Sequence, residues 1–140
     1  YFQLSCFLHD IGHLFLNEHD NNNDFLDNNM NHELIAYNFL KQYFPDKITK
    51  PILLHVTAKR YLCSTFKPYY EQLSTNSKKS FHLQGGFLTP YHIQKFEKTK
   101  YFNDAVRLRK LEDLSKQNKK KPISINYDYI EKLLNHFYIK

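Results

Sequence analysis

The stretch Leu8-His9-Asp10-Ile11-Gly12-His13 sets an imidazole beside a carboxylate at the end of an apolar run, with another imidazole three residues on. One backbone rarely aims two adjacent side chains at one ion. A carboxylate that bridges two ions is an exception, because helical neighbours differ by about 100°. The pair alone is common by chance. It constrains the fold because further ligand types follow far along the chain. His32 opens His32-Glu33-Leu34-Ile35-Ala36-Tyr37, His55 lies within Pro51-Ile52-Leu53-Leu54-His55-Val56, and the pair Glu112-Asp113 comes later. Groups so far apart meet only if separate helices turn them inward, as helical dinuclear sites do. Mixed nitrogen and oxygen donors suit Fe, Mn or Zn better than Ca or Mg.

Periodicity and punctuation predict an all-α chain, a single-domain bundle of five or more helices. Residues 1–16 read as a helix that turns near Gly12, and residues 17–31 as an Asn-Asp-rich loop. A helix over 32–44 has Leu34, Tyr37, Phe39 and Leu40 as its buried side and ends at Pro45. Pro51 is expected to open the next helix at its first turn, running to about Cys63. A short helix follows from Pro68 to Leu73, then a sharp loop at Gly85-Gly86. Thr89-Pro90 reads as N-cap plus first-turn proline. Residues 103–116 form a helix with Ala105, Leu108 and Leu111 on one face. A basic linker over 117–122 precedes a last helix over 126–138. No alternating strand pattern and no internal repeat is present.

Twelve Phe and eleven Tyr supply a core without Trp. The net charge of +6 comes partly from Lys119-Lys120-Lys121 and Lys78-Lys79. These lie in loops and helix ends with no nucleic-acid motif, so the excess reads as solvated surface, and no nucleic-acid partner is expected. Cys6 and Cys63 sit among apolar neighbours, which fits buried free thiols in a reducing, cytoplasmic compartment better than a disulfide framework. No apolar run approaches the roughly 20 residues needed to span a membrane, so no membrane partner is expected.

The order His-Asp, His, His, carboxylate resembles the HD-domain superfamily. The block His55-Val56-Thr57-Ala58-Lys59-Arg60-Tyr61, then Leu73-Ser74, Leu83-Gln84-Gly85-Gly86 and Ala105-Val106-Arg107-Leu108-Arg109, resembles its mixed-valent diiron oxygenase branch. That branch includes the dioxygenases of organophosphonate breakdown and, more distantly, myo-inositol oxygenase. The resemblance runs from about Leu4 to Lys116. It implies an HD-domain bundle and an enzyme, a diiron oxygenase with Fe(II)/Fe(III) as cofactor, or another divalent metal such as Mn or Zn. It implies dioxygen and a small anionic substrate as partners, and oxidative C–P cleavage of a hydroxylated phosphonate as the reaction. His9, Asp10, His32 and His55 would hold the metals, with Asp10 as the bridge. The last ligand falls on Glu112 by its position three residues after Arg109, with Asp113 the alternative.

His55 and Lys59 share a helix face. A cation beside a metal site is unfavourable unless an anion lies between them. Lys59, His13, Ser77 and Arg109 match substrate-holding positions in the resembled family, with His13 and Lys59 as the groups that act at the reacting end. His19, His82, His92 and His136 match no such position. The family carries a further metal-binding His, and a lid, before the His-Asp pair. Here only eight residues precede His9, so the sequence is expected to be an N-terminally truncated piece, inactive by itself, of an active parent. Two other readings share the ligands: a metal-dependent HD phosphohydrolase, and a degenerate HD module used for binding or regulation. Lys59-Arg60-Tyr61 and Gln84-Gly85-Gly86 favour the oxygenase, since generic phosphohydrolases need neither.

Overall fold

The computed structural model describes residues 1–16, 31–117 and 126–139. Among these residues the chain is all-α, with no strand. Its helices are α1 (Phe2–Leu8), α2 (His32–Leu40), α3 (Asp46–Thr65), α4 (Lys67–Gln72), α5 (Thr75–Leu83), α6 (Pro90–Glu97), α7 (Phe102–Gln117) and α8 (Tyr127–Phe137). A 3-10 turn over Ile11–Phe15 follows α1. Nearly all of the Asn-rich stretch and the basic linker fall outside the described residues.

The long helix α3 is the hub, and α1, α2, α4, α6 and α7 all pack against it. Two apolar clusters form along its length. Leu4, Leu8, Ala36, Leu40, Phe44, Ile48 and Ile52 make the first, closed from outside by Leu133, Leu134 and Phe137 of α8. Ala58, Phe96 and Ala105 make the second, with Tyr61 and Phe102 against them. His55 lies between the two, so the middle of α3 is where the packing leaves room for polar groups. Buried Ser5 ties α1 to α3 by donating to the Ile48 carbonyl at 2.9 Å.

Several helix boundaries differ from the sequence reading. Pro51 lies inside α3, which starts one turn earlier, where Pro45 in extended conformation precedes Asp46. The proline removes one helical hydrogen bond, yet Pro51 is fully buried and the helix continues through it. Helix α1 stops at Leu8, so His9 and Asp10 occupy the junction with the 3-10 turn rather than a helix interior. Helix α2 ends at Leu40, before Pro45. Leu34 and Phe39 are exposed, whereas Ala36 and Leu40 carry the buried face. Leu111 is also exposed, beyond the face that buries Ala105 and Leu108.

Helix α5 has no counterpart in the sequence reading. Its polar run has poor helix propensity. It is held by Ser74, whose hydroxyl accepts from the Ser77 N–H at 3.2 Å, and by the fully buried Phe81. The caps at Thr89 and Asn126 form as side-chain acceptors, and Gly85 and Gly86 take positive φ of 99° and 60°.

Candidate metal centre

Five ligand-type groups converge from four segments. The end of α1 supplies His9, the start of the 3-10 turn supplies Asp10, with His13 inside that turn, α2 supplies His32, and α3 supplies His55. Gly12 makes the approach possible. A Cβ there would lie 2.0 Å from the His32 carbonyl oxygen and 3.2 Å from the Ala36 nitrogen, both backbone atoms that cannot rotate away. The turn therefore lies directly on the first turn of α2, and the His13 ring stacks on His32 with centroids 4.0 Å apart.

His32 Nε2 and His55 Nε2 are 3.1 Å apart. Two nitrogens bound at right angles to one ion, each about 2.1 Å from it, would stand about 3.0 Å apart. Asp10 Oδ2 is 3.2 Å from His9 Nε2, and Asp10 Oδ1 is 3.8 Å from His13 Nε2 and 4.0 Å from His32 Nε2. The two carboxylate oxygens thus face different imidazoles, the disposition a bridging carboxylate needs. One ligand atom each from Asp10, His13 and His32 lies within 4.8 Å of the others. His9 Nε2 is buried and makes no well-aligned hydrogen bond. A buried nitrogen without a partner costs free energy, and a cation would satisfy it. The donor set fits a metal, and His13 joins it at ligand distance.

Electrostatics keep the donors available. Burial, with neighbouring His55 and His13, pushes His32 down to about 3. Burial likewise pushes His55 down to about 4. Both imidazoles are neutral at pH 7 and offer lone pairs. Desolvation pushes the Asp10 carboxyl up, but His9, with His55 and His13 behind it, outweighs this and holds it well below the usual carboxylate range. Asp10 is 53% exposed, so the site opens on its side.

The adjacent carboxylates of α7 part company. Glu112 accepts from Arg109 Nη1 at 2.8 and 2.9 Å and from Lys116 Nζ at 2.5 Å. Its charge reaches His9, His32 and His55. Asp113 instead accepts from Arg109 and from the Tyr69 hydroxyl, the latter at 2.5 Å. The Arg109 guanidinium, 3% exposed, joins both carboxylates to Tyr69.

Lys59, also 3% exposed, donates to Ser80 at 2.7 Å and to Gln84 at 3.0 Å. Burial and the nearby Arg109 lower its pKa to about 8, against the opposing pull of Glu112. Arg60 holds the glycine loop that carries Gln84, donating to the Gly86 and Gly85 carbonyls at 2.8 and 2.9 Å. Ser77 meets Ser74 rather than Lys59; Ser80, one turn on, makes the contact.

Sequence reasoning brought together His9, Asp10, His32 and His55, and the structure sets them side by side. It missed Ser80 and Tyr69, and gave half-buried Glu33 no role beyond that of a neighbour to His32. Ser80 had a weak signal, lying one helical turn beyond Ser77. Tyr69 had none, being 40 residues from Arg109.

Fold and site together define a helical protein with a converging histidine–carboxylate cluster beside buried cations. No family model matches the chain. It is similar to a hydroxymethylphosphonate dioxygenase of Gimesia maris, 43% identical over 112 residues, which is 80% of this chain and 56% of that protein. It is also similar to a [1-hydroxy-2-(trimethylamino)ethyl]phosphonate dioxygenase (glycine-betaine-forming) of Leisingera caerulea, 35% identical over 119 residues, 81% of this chain and 58% of the relative. An uncharacterized protein of Acanthamoeba polyphaga mimivirus is 37% identical over 118 residues. The chain spans about half the length of the curated relatives it matches. Among the described residues no helix is long and apolar enough to cross a membrane.

Proposed function

We propose that this chain is the metal-holding core of a non-haem diiron oxygenase of the HD superfamily, which cleaves the C–P bond of a small hydroxylated phosphonate oxidatively. The observation that carries the reading is buried Lys59, one turn from His55 on α3 and close enough to Arg109 to feel its charge. Arg109 is already paired with Glu112 and Asp113, whereas the hydrogen-bond partners of Lys59 are the neutral Ser80 and Gln84, so a buried ammonium beside a cluster that would hold metal cations favours an added anion there. The relatives named for phosphonates supply the substrate class.

In this reading His9, His32, His55 and Glu112 hold the ions and Asp10 bridges them. Iron would supply one-electron redox chemistry with dioxygen. Lys59 gives the substrate a charge-assisted donor, aimed by Ser80 and Gln84. Arg109 adds a fixed positive charge and orients Glu112. His13, stacked on His32 and within ligand distance of Asp10, would meet the substrate at the open side. Asp113 serves Arg109 rather than a metal.

Oxygen uptake and phosphate release, measured together on the native full-length protein after iron loading, test the reaction. Hydroxylated phosphonates should drive both. Phosphate release from monoesters without oxygen uptake would reject the oxygenase in favour of a two-metal phosphohydrolase. A protein that binds no metal would support a binding or regulatory module.

A further inference from the structure

The three imidazoles differ in what stands behind them. His9 ends α1 and His55 lies within α3, so each finds the carbonyl three residues back. His9 Nδ1 lies 2.8 Å from the Cys6 oxygen and His55 Nδ1 2.6 Å from the Ile52 oxygen. A carbonyl only accepts, so both rings carry a proton on Nδ1, and a neutral ring then turns a bare Nε2 to the cluster. His32 is the first residue of α2. No turn of its own helix precedes it, so α2 supplies no such carbonyl. Glu33 stands there instead. Its Oε2 is 3.6 Å from His32 Nδ1, buried, and without a hydrogen-bond partner.

The unsatisfied carboxylate and the close nitrogen pair have one common solution. Since His55 Nε2 is bare, its 3.1 Å contact with His32 Nε2 is either a hydrogen bond from His32 or two lone pairs turned to one cation. The first leaves a bare Nδ1 facing a buried carboxylate. The second moves the His32 proton to Nδ1, and a closure of about 0.4 Å brings it into hydrogen-bond range of Glu33.

We propose that Glu33 is a positioning residue of the metal centre: its carboxylate accepts the Nδ1 proton of His32 and so holds that ring with Nε2 toward the metal. Carboxylates that orient ligating histidines in this way raise metal affinity. The inference rests on the ligand assignment above. A different role for Glu33, stabilising the positive N-terminal end of α2, would affect helix stability and leave metal binding alone.

Zinc(II) titration against a competing chelator, on the wild type, Glu33→Ala and Glu33→Gln, separates these roles. Glu33→Ala should weaken one zinc site about 10- to 100-fold. Glu33→Gln keeps an acceptor of the same reach and should recover most of that loss. Nitrogen-correlated proton spectra of the zinc-loaded protein give a second readout. The His32 Nδ1 proton should move upfield in both variants, because a charged acceptor is lost. Unchanged affinity in Glu33→Ala, a Glu33→Gln as weak as Glu33→Ala, or an unmoved His32 proton in Glu33→Gln would overturn the proposal. A wild type that binds no zinc would reject the metal centre itself, and this inference with it.

Discussion

At the scale of single residues, the parting of Glu112 and Asp113 is the sharpest feature. Adjacent helical positions differ by about 100°; Arg109 holds both carboxylates, but the charge of Glu112 reaches the imidazoles while Asp113 meets Tyr69. Glu112→Gln should cost metal occupancy. Asp113→Asn should leave metal content near normal and disturb Arg109 instead. Metal analysis of both variants decides it, and the reverse pattern would move the ligand to Asp113. Lys59 carries a second prediction. Its pKa is depressed to about 8, so its ammonium form is present below that pH and disappears as pH rises through it. Phosphonate affinity should therefore fall above pH 8. The lost charge-assisted hydrogen bond is worth about 1.5 to 3 kcal/mol, or roughly ten- to a hundredfold in affinity. Lys59→Met should bind weakly at every pH and show no such step near 8. A wild-type affinity that is flat across this range would remove Lys59 from the anion's contacts.

At the scale of elements, one glycine decides how the first motif meets the second. With a Cβ at position 12 only 2.0 Å from the His32 carbonyl oxygen, Gly12→Ala forces the 3-10 turn off α2. Overpacking of this kind costs about 1 to 3 kcal/mol, and it separates Asp10 and His13 from His32. The variant should unfold at lower temperature and bind metal more weakly than a destabilised variant in the second apolar cluster, such as Phe96→Leu. Equal metal affinity in the two would show that the turn does not set the site. The same turn marks where the sequence was legible. His9, Asp10, His32 and His55 could be singled out because histidines and a carboxylate recur along the chain in the order that resembles the HD superfamily. The cap at Thr89 and the Gly85-Gly86 turn could be named because their local chemistry is decisive. Helix α5 could not, because its polar residues favour a loop until Phe81 finds the core. Pro51 misled for a related reason. Its local preference for a first turn loses to the burial of Ile48, Thr49 and Ile52 around it. Leu34 and Phe39 fit the pattern of a buried face, yet the packed side of α2 is the one that bears Ala36 and Leu40, and Phe39 meets Phe15 of the 3-10 turn while both stay exposed.

At the scale of the whole molecule, the proposed ligands come from the end of α1, the 3-10 turn, α2, α3 and α7, while α3 joins the two apolar clusters. A metal bound there would cross-link α3 to α1, α2 and α7, three of the five helices that pack on the hub. An unfolded chain offers no such convergence, so binding energy becomes folding energy. At free metal a hundredfold above Kd the gain is about 2.7 kcal/mol, or about 6 to 10 °C in Tm for a chain of this size. Chelation should remove that increment reversibly. Asp10→Ala should abolish it, because a lost bridge releases both ions, whereas His55→Ala should retain part of it. Thermal unfolding with and without chelator, on these three proteins, reads the difference. An increment that survives Asp10→Ala intact would sink the bridging role, since an ion held without Asp10 would have to be gripped by the three imidazoles and Glu112. An increment equal for His55→Ala and wild type would place the ion away from α3. The hub would then be a packing element alone, and the 3.1 Å approach of His32 to His55 an ordinary hydrogen bond.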